Sequence, residues 1–475
     1  QLPLTTLLPL ITLSPVVLKI LSLSPVNSDS STSILPSMIS ASTGTWSPRF
    51  KCRYSPRTIS SESIFIISLS RFTRYLLLPS KLNFSRAFFE RTSWKIPIAV
   101  FIVITPILKK ICARNAKFCK KVYFLERKIK NILDYSSNIN PFGIPENLKK
   151  VILENLKTLE KYPDPDYFEL RKKIAKKNGV HLENIILGNG ATEIIFLITK
   201  VLNPKKVLIA APTFGEYERA VKSLQDDVAI QYFKLEEKEN FKFNQKKFEM
   251  EMEKNYDLVI ICNPNNPTGK FLQRDEMEKI LEKCNKKNTK LLVDEAFIEF
   301  VENWKEKTIA QTKIDKKNLF IIRAFTKFFA IPGLRLGYGI FFDKEDIFKV
   351  NAKKEPWSVN SLAEIAGTYV IDDLEYIKKT ENWIQLEKKY MFEQLSKIKE
   401  LEVFETEVNF ILAKIKKGMN SKKLQEKMLE HGILIRDASN FIFLNKNFFR
   451  LAIKDRRNND FVLEKLSLIF SFEKK

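Results

Sequence analysis

The sequence predicts an α/β fold: a large domain with a mostly parallel central sheet, then a smaller C-terminal α/β domain. Two observations carry this expectation. Four short apolar runs, "KKVLIAAP" (205–212), "DLVIICNP" (257–264), "TKLLVDEA" (289–296) and "NLFIIRAF" (318–325), each end in a polar or turn-rich stretch. Helical stretches such as 273–286 separate them. Strands that read as continuous apolar runs are buried on both faces, as parallel strands between helices are. In such sheets ligands gather at the carboxyl ends of the strands.

In chain order, the first element is compositional. Residues 1–120 are rich in Ser, Leu, Pro and Arg, and their only acids are Asp29, Glu62 and Glu90. Their apolar runs 8–23 and 96–108 carry proline and fall short of the roughly 20 residues that a bilayer span needs. Three readings are open for this leader: a non-native upstream extension, a disordered or targeting segment, or a membrane anchor. No chemistry is legible in it, and no membrane partner is expected. The large domain is assigned to 131–350. It includes an N-terminal arm, 131–165, whose "ENLKKVILENLKTLEKY" (146–162) has helical apolar spacing. The small domain, 351–475, begins with a long helix from about 370. Strand-like 404–415, a helix at 420–430, the runs 432–438 and 448–453, and a last helix near 459–470 follow.

The 80 Lys and Arg against 56 Asp and Glu leave a net charge of +24. The excess is mostly lysine paired with glutamate on helical stretches, which reads as a solvated surface that also suits an anionic substrate. There is no zinc-finger spacing, RNA-binding aromatic signature or basic arm, so no nucleic-acid partner is expected. The five cysteines (52, 112, 119, 262 and 284) form no CxxC pair, and His181 and His431 are the only histidines. A metal site and a Ser-His-Asp triad are both poorly supported, and the cysteine usage suits a reducing cytoplasm.

The chemistry-bearing residues collect at strand ends. "LGNGATEIIF" (187–196) is a glycine turn opening a helix, whose N–H groups suit a phosphate. "CNPNNPTG" (262–269) offers an amide, and "VDEAF" (293–297) places Asp294 at the end of an apolar strand, where a lone carboxylate is costly. "FTKFFAIPGLRLGYG" (325–339) sets Lys327 among apolar residues and follows it with Arg335. A phosphate cradle, an amide, a buried acid, a lysine and an arginine are what pyridoxal phosphate requires: Schiff-base lysine, acid on the pyridine nitrogen, donors for the phosphate.

These motifs resemble the fold-type-I pyridoxal-phosphate enzymes of the class I/II aminotransferase group, over about 131–470. The resemblance implies pyridoxal 5'-phosphate on Lys327. It implies that Arg335 and the turn Gly190, Ala191 and Thr192 hold the phosphate, with Thr326 beside the lysine. Asp294 would pair with the pyridine nitrogen, Asn266 would bond the phenolic oxygen and Phe214 would stack on the ring. Tyr162, in "YPDPDYFEL", would reach the phosphate of a neighbouring subunit, implying a homodimer. Within the group, "DYSSNINPFGIP" (134–145) and "PWSVNSLAE" (356–364) are most similar to the threonine-phosphate decarboxylases of cobalamin biosynthesis. The alternative is a histidinol-phosphate-type aminotransferase using 2-oxoglutarate. Either implies a small phosphorylated amino-acid-like substrate. Arg436 and Arg450 would bind its carboxylate and phosphate. Asn140 and Asn360 are substrate-side candidates, with structural turn roles equally open. Three departures stand out. Ala324 replaces the usual hydroxyl residue three before the lysine, and Phe297 stands where the aminotransferases have tyrosine. An upstream HGG-like motif is missing from 110–133.

Overall fold

The computed structural model describes residues 132–223 and 228–472, together with two short strands, β1 (Ile39–Ser40) and β2 (Phe65–Ile66). The chain divides into two units, Gln1–Lys128 and Ile129–Lys475. In the first, β1 pairs antiparallel with β2. The expectations for 1–120 otherwise lie outside the described residues. Among the described residues, no helix is long and apolar enough to cross a membrane.

In the second unit a short strand, β3 (Leu133–Asp134), precedes a seven-stranded sheet. The sheet's members are β4 (Ile185–Asn189), β5 (Lys206–Ala211), β6 (Ala229–Lys234), β7 (Leu258–Cys262), β8 (Lys290–Asp294), β9 (Leu319–Ala324) and β10 (Leu336–Phe341). Their order is β4-β10-β9-β8-β7-β5-β6. The neighbours from β6 to β9 pair in parallel, and β10 runs antiparallel to both β9 and β4. The four apolar runs became β5, β7, β8 and β9. Alternate residues explain why the runs lack polar positions. Val259, Ile261, Leu291 and Val293 join one buried cluster; Leu258, Ile260, Leu292 and Ile322 join the other. Each such side chain contributes about 1.5–3 kcal/mol by leaving water.

The second sheet is formed by β11 (Leu401–Val403), β12 (Phe410–Ile415), β14 (Arg436–Asp437) and β15 (Phe448–Ala452), in the order β11-β12-β15-β14. Of the strand-like 404–415, only Phe410–Ile415 is strand, and 404–409 is the turn that joins it to β11. Strand β13 (Ile433–Leu434) pairs in parallel with β3, so the start of the arm is bonded into the C-terminal part. The Tyr135 O–H donates to Asn459 Oδ1 (2.8 Å) and the Ala452 N–H to Tyr135 O (2.9 Å), which ties it there twice more. Conversely, the helix Ser361–Val370 packs on the helices Glu146–Glu154 and Phe168–Asn178 and on β10. Both ties are long-range and leave no local sequence mark. The expected helix 146–162 ends at Glu154 and continues as a 3-10 turn, Leu156–Glu160.

Candidate active site

The carboxyl ends of β7, β8 and β9 deliver the central residues. Asp294 ends β8 and is 5% exposed. Its Oδ2 accepts the Tyr217 O–H (2.6 Å), and its Oδ1 accepts the Ala296 N–H (2.8 Å). Burial pushes its carboxyl up to about 6, against the pull of those two bonds. A buried acid so placed is prepared for a cationic partner.

Lys327 lies just past β9 and is half-buried. Burial lowers the proton affinity of its amine, and the positive charges of Arg450 and Arg335 lower it further. The Asn140 N–H donates to Lys327 O (3.1 Å), and its side-chain amide donates to Phe328 O and Thr380 Oγ1 (2.8 Å each). With Asn140 Oδ1 accepting the Phe142 N–H, that side chain is committed to holding the lysine loop. Thr326, beside the lysine, is buried.

The helix α1 (Ala191–Leu202) opens at Gly190, and no side chain caps its first turn. The Gly190 N–H donates to Gly188 O (2.7 Å) and the Glu193 N–H to Gly190 O (3.2 Å), which leaves the Ala191 and Thr192 N–H groups to face an anion. Gly190 has φ +78°, and a Cβ there would run into the Arg335 guanidinium, 3.0 Å from Cζ. Arg335 itself is exposed and left-handed at φ 60°. The guanidinium therefore lies directly over the turn formed by Gly190 and the half-buried Ala191 and Thr192.

The loop after β7 is fixed by Asn265. Its amide donates to Pro212 O and Thr268 Oγ1 (2.9 Å each), and its Oδ1 accepts the Thr213 O–H (3.0 Å). Asn266 Oδ1 accepts from Arg450 Nη1. Arg450 also donates through Nη2 to Ser136 O (2.7 Å) and stacks over Phe410, 5.2 Å from the ring centre. Among the described residues its Nε has no partner. Burial first, and Arg436 second, depress this guanidinium to about 9. Arg436 stands opposite Arg450 in the β14–β15 ladder, and its Nη2 donates to Asn440 Oδ1 (2.8 Å).

Phe214, half-buried, meets Tyr217 edge-on at 5.7 Å. Tyr162 is 81% exposed and packs against Trp357 at 4.9 Å. Asn360 is an N-cap: its Oδ1 accepts the Ala363 N–H (2.9 Å) and its amide donates to Leu334 O (3.0 Å), next to Arg335. For Asn140 and Asn360 the contacts thus favour the turn roles left open by the sequence over substrate contact. Phe297 packs edge-on against Phe410 at 5.1 Å, filling with carbon the place of a phenol.

Sequence reasoning missed Tyr217, and a buried pair in which Arg323 Nε donates to Glu295 Oε2 (2.9 Å). Tyr217 carries no local signal: Phe214 precedes the helix, and a phenol on a helix's apolar face reads as core.

Residues 130–466 match the family Aminotransferase class I and II. The chain belongs to this family. A protein of Caldanaerobacter subterraneus subsp. tengcongensis, provisionally named threonine-phosphate decarboxylase, is 45% identical over 71% of this chain and 92% of its own. The threonine-phosphate decarboxylase of Salmonella typhimurium is 33% identical, over 70% and 90%. The crystal structure of the histidinol-phosphate aminotransferase from Clostridium acetobutylicum superposes with a TM-score of 0.66 and 38% identity, covering 71% of this chain and 99% of that one. This family member is a fold-type-I enzyme dependent on pyridoxal phosphate. Its residues fit that cofactor. Arg335 and the uncapped turn present phosphate donors, Gly190 leaves the guanidinium its place, and a buried acid stands ready for a ring nitrogen.

Proposed function

We propose that this enzyme decarboxylates L-threonine O-3-phosphate to (R)-1-amino-2-propanol O-2-phosphate in cobalamin biosynthesis, with pyridoxal phosphate held on Lys327. The observation that carries the substrate class is the Arg436–Arg450 pair. Like charges directly opposite on a ladder are destabilising. Here one of the two is buried with an orphaned N–H. An anion between them relieves both costs, and the proposed substrate brings two, a carboxylate and a phosphate. The choice of decarboxylation is supported by the two relatives named for it.

Bound pyridoxal phosphate supplies an electron sink conjugated to the substrate's Cα. In this reading Arg335 and the turn Gly190, Ala191 and Thr192 hold its phosphate, the last two through their N–H groups. Asp294 gives the ring nitrogen a counter-charge, Asn266 bonds the phenolic oxygen and Phe214 packs on the ring. Arg436 and Arg450 grip the substrate's anionic groups. By fixing them they decide which Cα bond stands out of the ring plane, and so which bond breaks. Lys327 Nζ, its proton affinity lowered by burial and two arginines, delivers a proton to Cα in the place that carbon dioxide has left. Asn140 and Asn360 act at one remove, holding the lysine loop and the segment before Arg335.

The working form in this reading is a cytoplasmic homodimer in which Tyr162 reaches the neighbouring site. Its exposure, with exposed Leu153, Leu156 and Leu159 in the same segment, supports that placement. A second reading, transamination of histidinol phosphate, is favoured by the 38% identical aminotransferase structure. The test is to incubate cofactor-loaded enzyme with L-threonine O-3-phosphate and no keto acid. Stoichiometric carbon dioxide and aminopropanol phosphate are expected. Glutamate formation from histidinol phosphate and 2-oxoglutarate, without carbon dioxide in the first assay, would replace this reading with the second.

A further inference from the structure

Helix α2 (Glu216–Lys222) buries Tyr217, Ala220 and Val221, and of these Tyr217 reaches Asp294. The Tyr217 ring has no exposed surface. A buried phenol needs a partner for its O–H, and this one donates to Asp294 Oδ2 at 2.6 Å. The same ring meets Phe214 edge-on, and its oxygen lies near Cys262, which stands opposite Asp294 in the β7–β8 ladder and whose thiol donates to Pro264 O (3.2 Å). Tyr217 thus touches the acid, the acid's neighbour on the next strand and the aromatic ring proposed to cover the cofactor. None of those contacts is needed to fill space alone; a phenylalanine would pack the same volume.

We propose that Tyr217 is a positioning residue for cofactor binding, whose phenol fixes the Asp294 carboxylate and holds it ionised for the pyridine nitrogen. The titratable groups facing Asp294 are few. Tyr217 comes from α2, Cys262 from β7 and Glu295 from the following position; Glu295 is neutralised by Arg323. Burial and Glu295 favour the neutral acid, while Tyr217 and the Ala296 N–H favour the carboxylate. Cys262 is itself pushed up to about 12, so its thiol carries no charge. Of the side chains, Tyr217 alone opposes burial. Without it, Asp294 remains protonated to higher pH and loses the charge that attracts a pyridinium.

The test uses the cofactor's own affinity and requires no substrate, so it is independent of which reaction the enzyme runs. The dissociation constant of pyridoxal phosphate is measured by equilibrium dialysis between pH 5 and 9, for wild type and Tyr217→Phe. Cofactor phosphate titration is common to both proteins and cancels in the comparison. Affinity is expected to fall on the acid side in both, with the variant's limb displaced upward by about one pH unit, the scale of one hydrogen bond to a charge. Near pH 6 the variant then binds roughly fivefold more weakly, approaching about tenfold at lower pH, and the gap closes at high pH. Superimposable profiles, or a uniform loss with an unmoved limb, would overturn the proposal and leave Tyr217 a packing residue. If Tyr217→Phe does not fold, 3-fluorotyrosine at position 217 keeps the ring and strengthens the donor. It must move the limb downward, and an unmoved limb is equally fatal. Asp294→Asn serves as control: if it leaves the acid limb intact, Asp294 is not the titrating group, and the role given to that residue fails first.

Discussion

Gly190→Ala separates the stability of the phosphate turn from its function. Alanine at φ +78° and ψ 161° costs roughly 1–2 kcal/mol, because that backbone region is essentially confined to glycine. The new methyl also enters the space of the Arg335 guanidinium, 3.0 Å from Cζ. That group is the far end of a flexible, exposed side chain, so it swings aside at little cost to folding. What is lost is its place over the first turn of α1. A charge-assisted hydrogen bond is worth about 1.5–3 kcal/mol, so cofactor affinity should fall roughly 10- to 150-fold. Thermal melting of the cofactor-free protein should drop by only a few degrees, in line with ~1–2 kcal/mol. Equilibrium dialysis of pyridoxal phosphate reads the first quantity and differential scanning calorimetry the second. A dissociation constant within about twofold of wild type, alongside the expected melting shift, would refute Arg335 as the phosphate ligand.

The remaining predictions concern the acid and the cations. Asp294 has its folded pKa raised from 3.8 to about 6, so the cofactor-free fold loses stability as pH rises through that interval. Two pH units correspond to on the order of 3 kcal/mol. Asp294→Asn without cofactor should therefore melt higher than wild type at pH 8 and alike below pH 4; a pH-independent difference contradicts the assignment. Arg450→Gln removes one of two facing cations and leaves Asn266 Oδ1 and Ser136 O without their donor. Its kcat/KM for the phosphorylated substrate should fall about 100-fold or more, with cofactor retained, as for truncating one partner of a buried charged contact. Asn140→Ala frees Phe328 O and Thr380 Oγ1. It should cost roughly 2 kcal/mol in melting and lower kcat with KM nearly unchanged; a rise in KM alone would return Asn140 to the substrate side.

The legible strands were those buried on both faces. Strands β5, β7, β8 and β9 read directly as apolar runs. The sheet's other members did not. β10 carries Gly337 and Gly339, and it is a strand because β9 and β4 flank it; a Cβ on Gly337 would lie 2.7 Å from the Gly190 carbonyl carbon. β6 is an edge strand with mixed exposure, and β4 ends in the glycine turn that was read as a helix start. Lys327, Arg335, Asp294 and Asn266 stood out because charged or amide side chains at the ends of apolar strands need a reason to be there. Tyr217 did not, since a phenol on an amphipathic helix looks like core until its O–H partner is known. Arg323 and Glu295 were equally hidden: each neutralises the other only across adjacent strands. Asn140 and Asn360 were found as motif members, but only hydrogen-bond partners distinguish a clamp from a ligand.

The most direct measurement is chemical. Cofactor-loaded enzyme is reduced with borohydride, digested and mapped by mass spectrometry. A single pyridoxyl-modified peptide bearing the label on Lys327 is the expected result. A label on any other lysine, or none with the cofactor bound, would contradict the site built here around Lys327, Asp294 and Arg335.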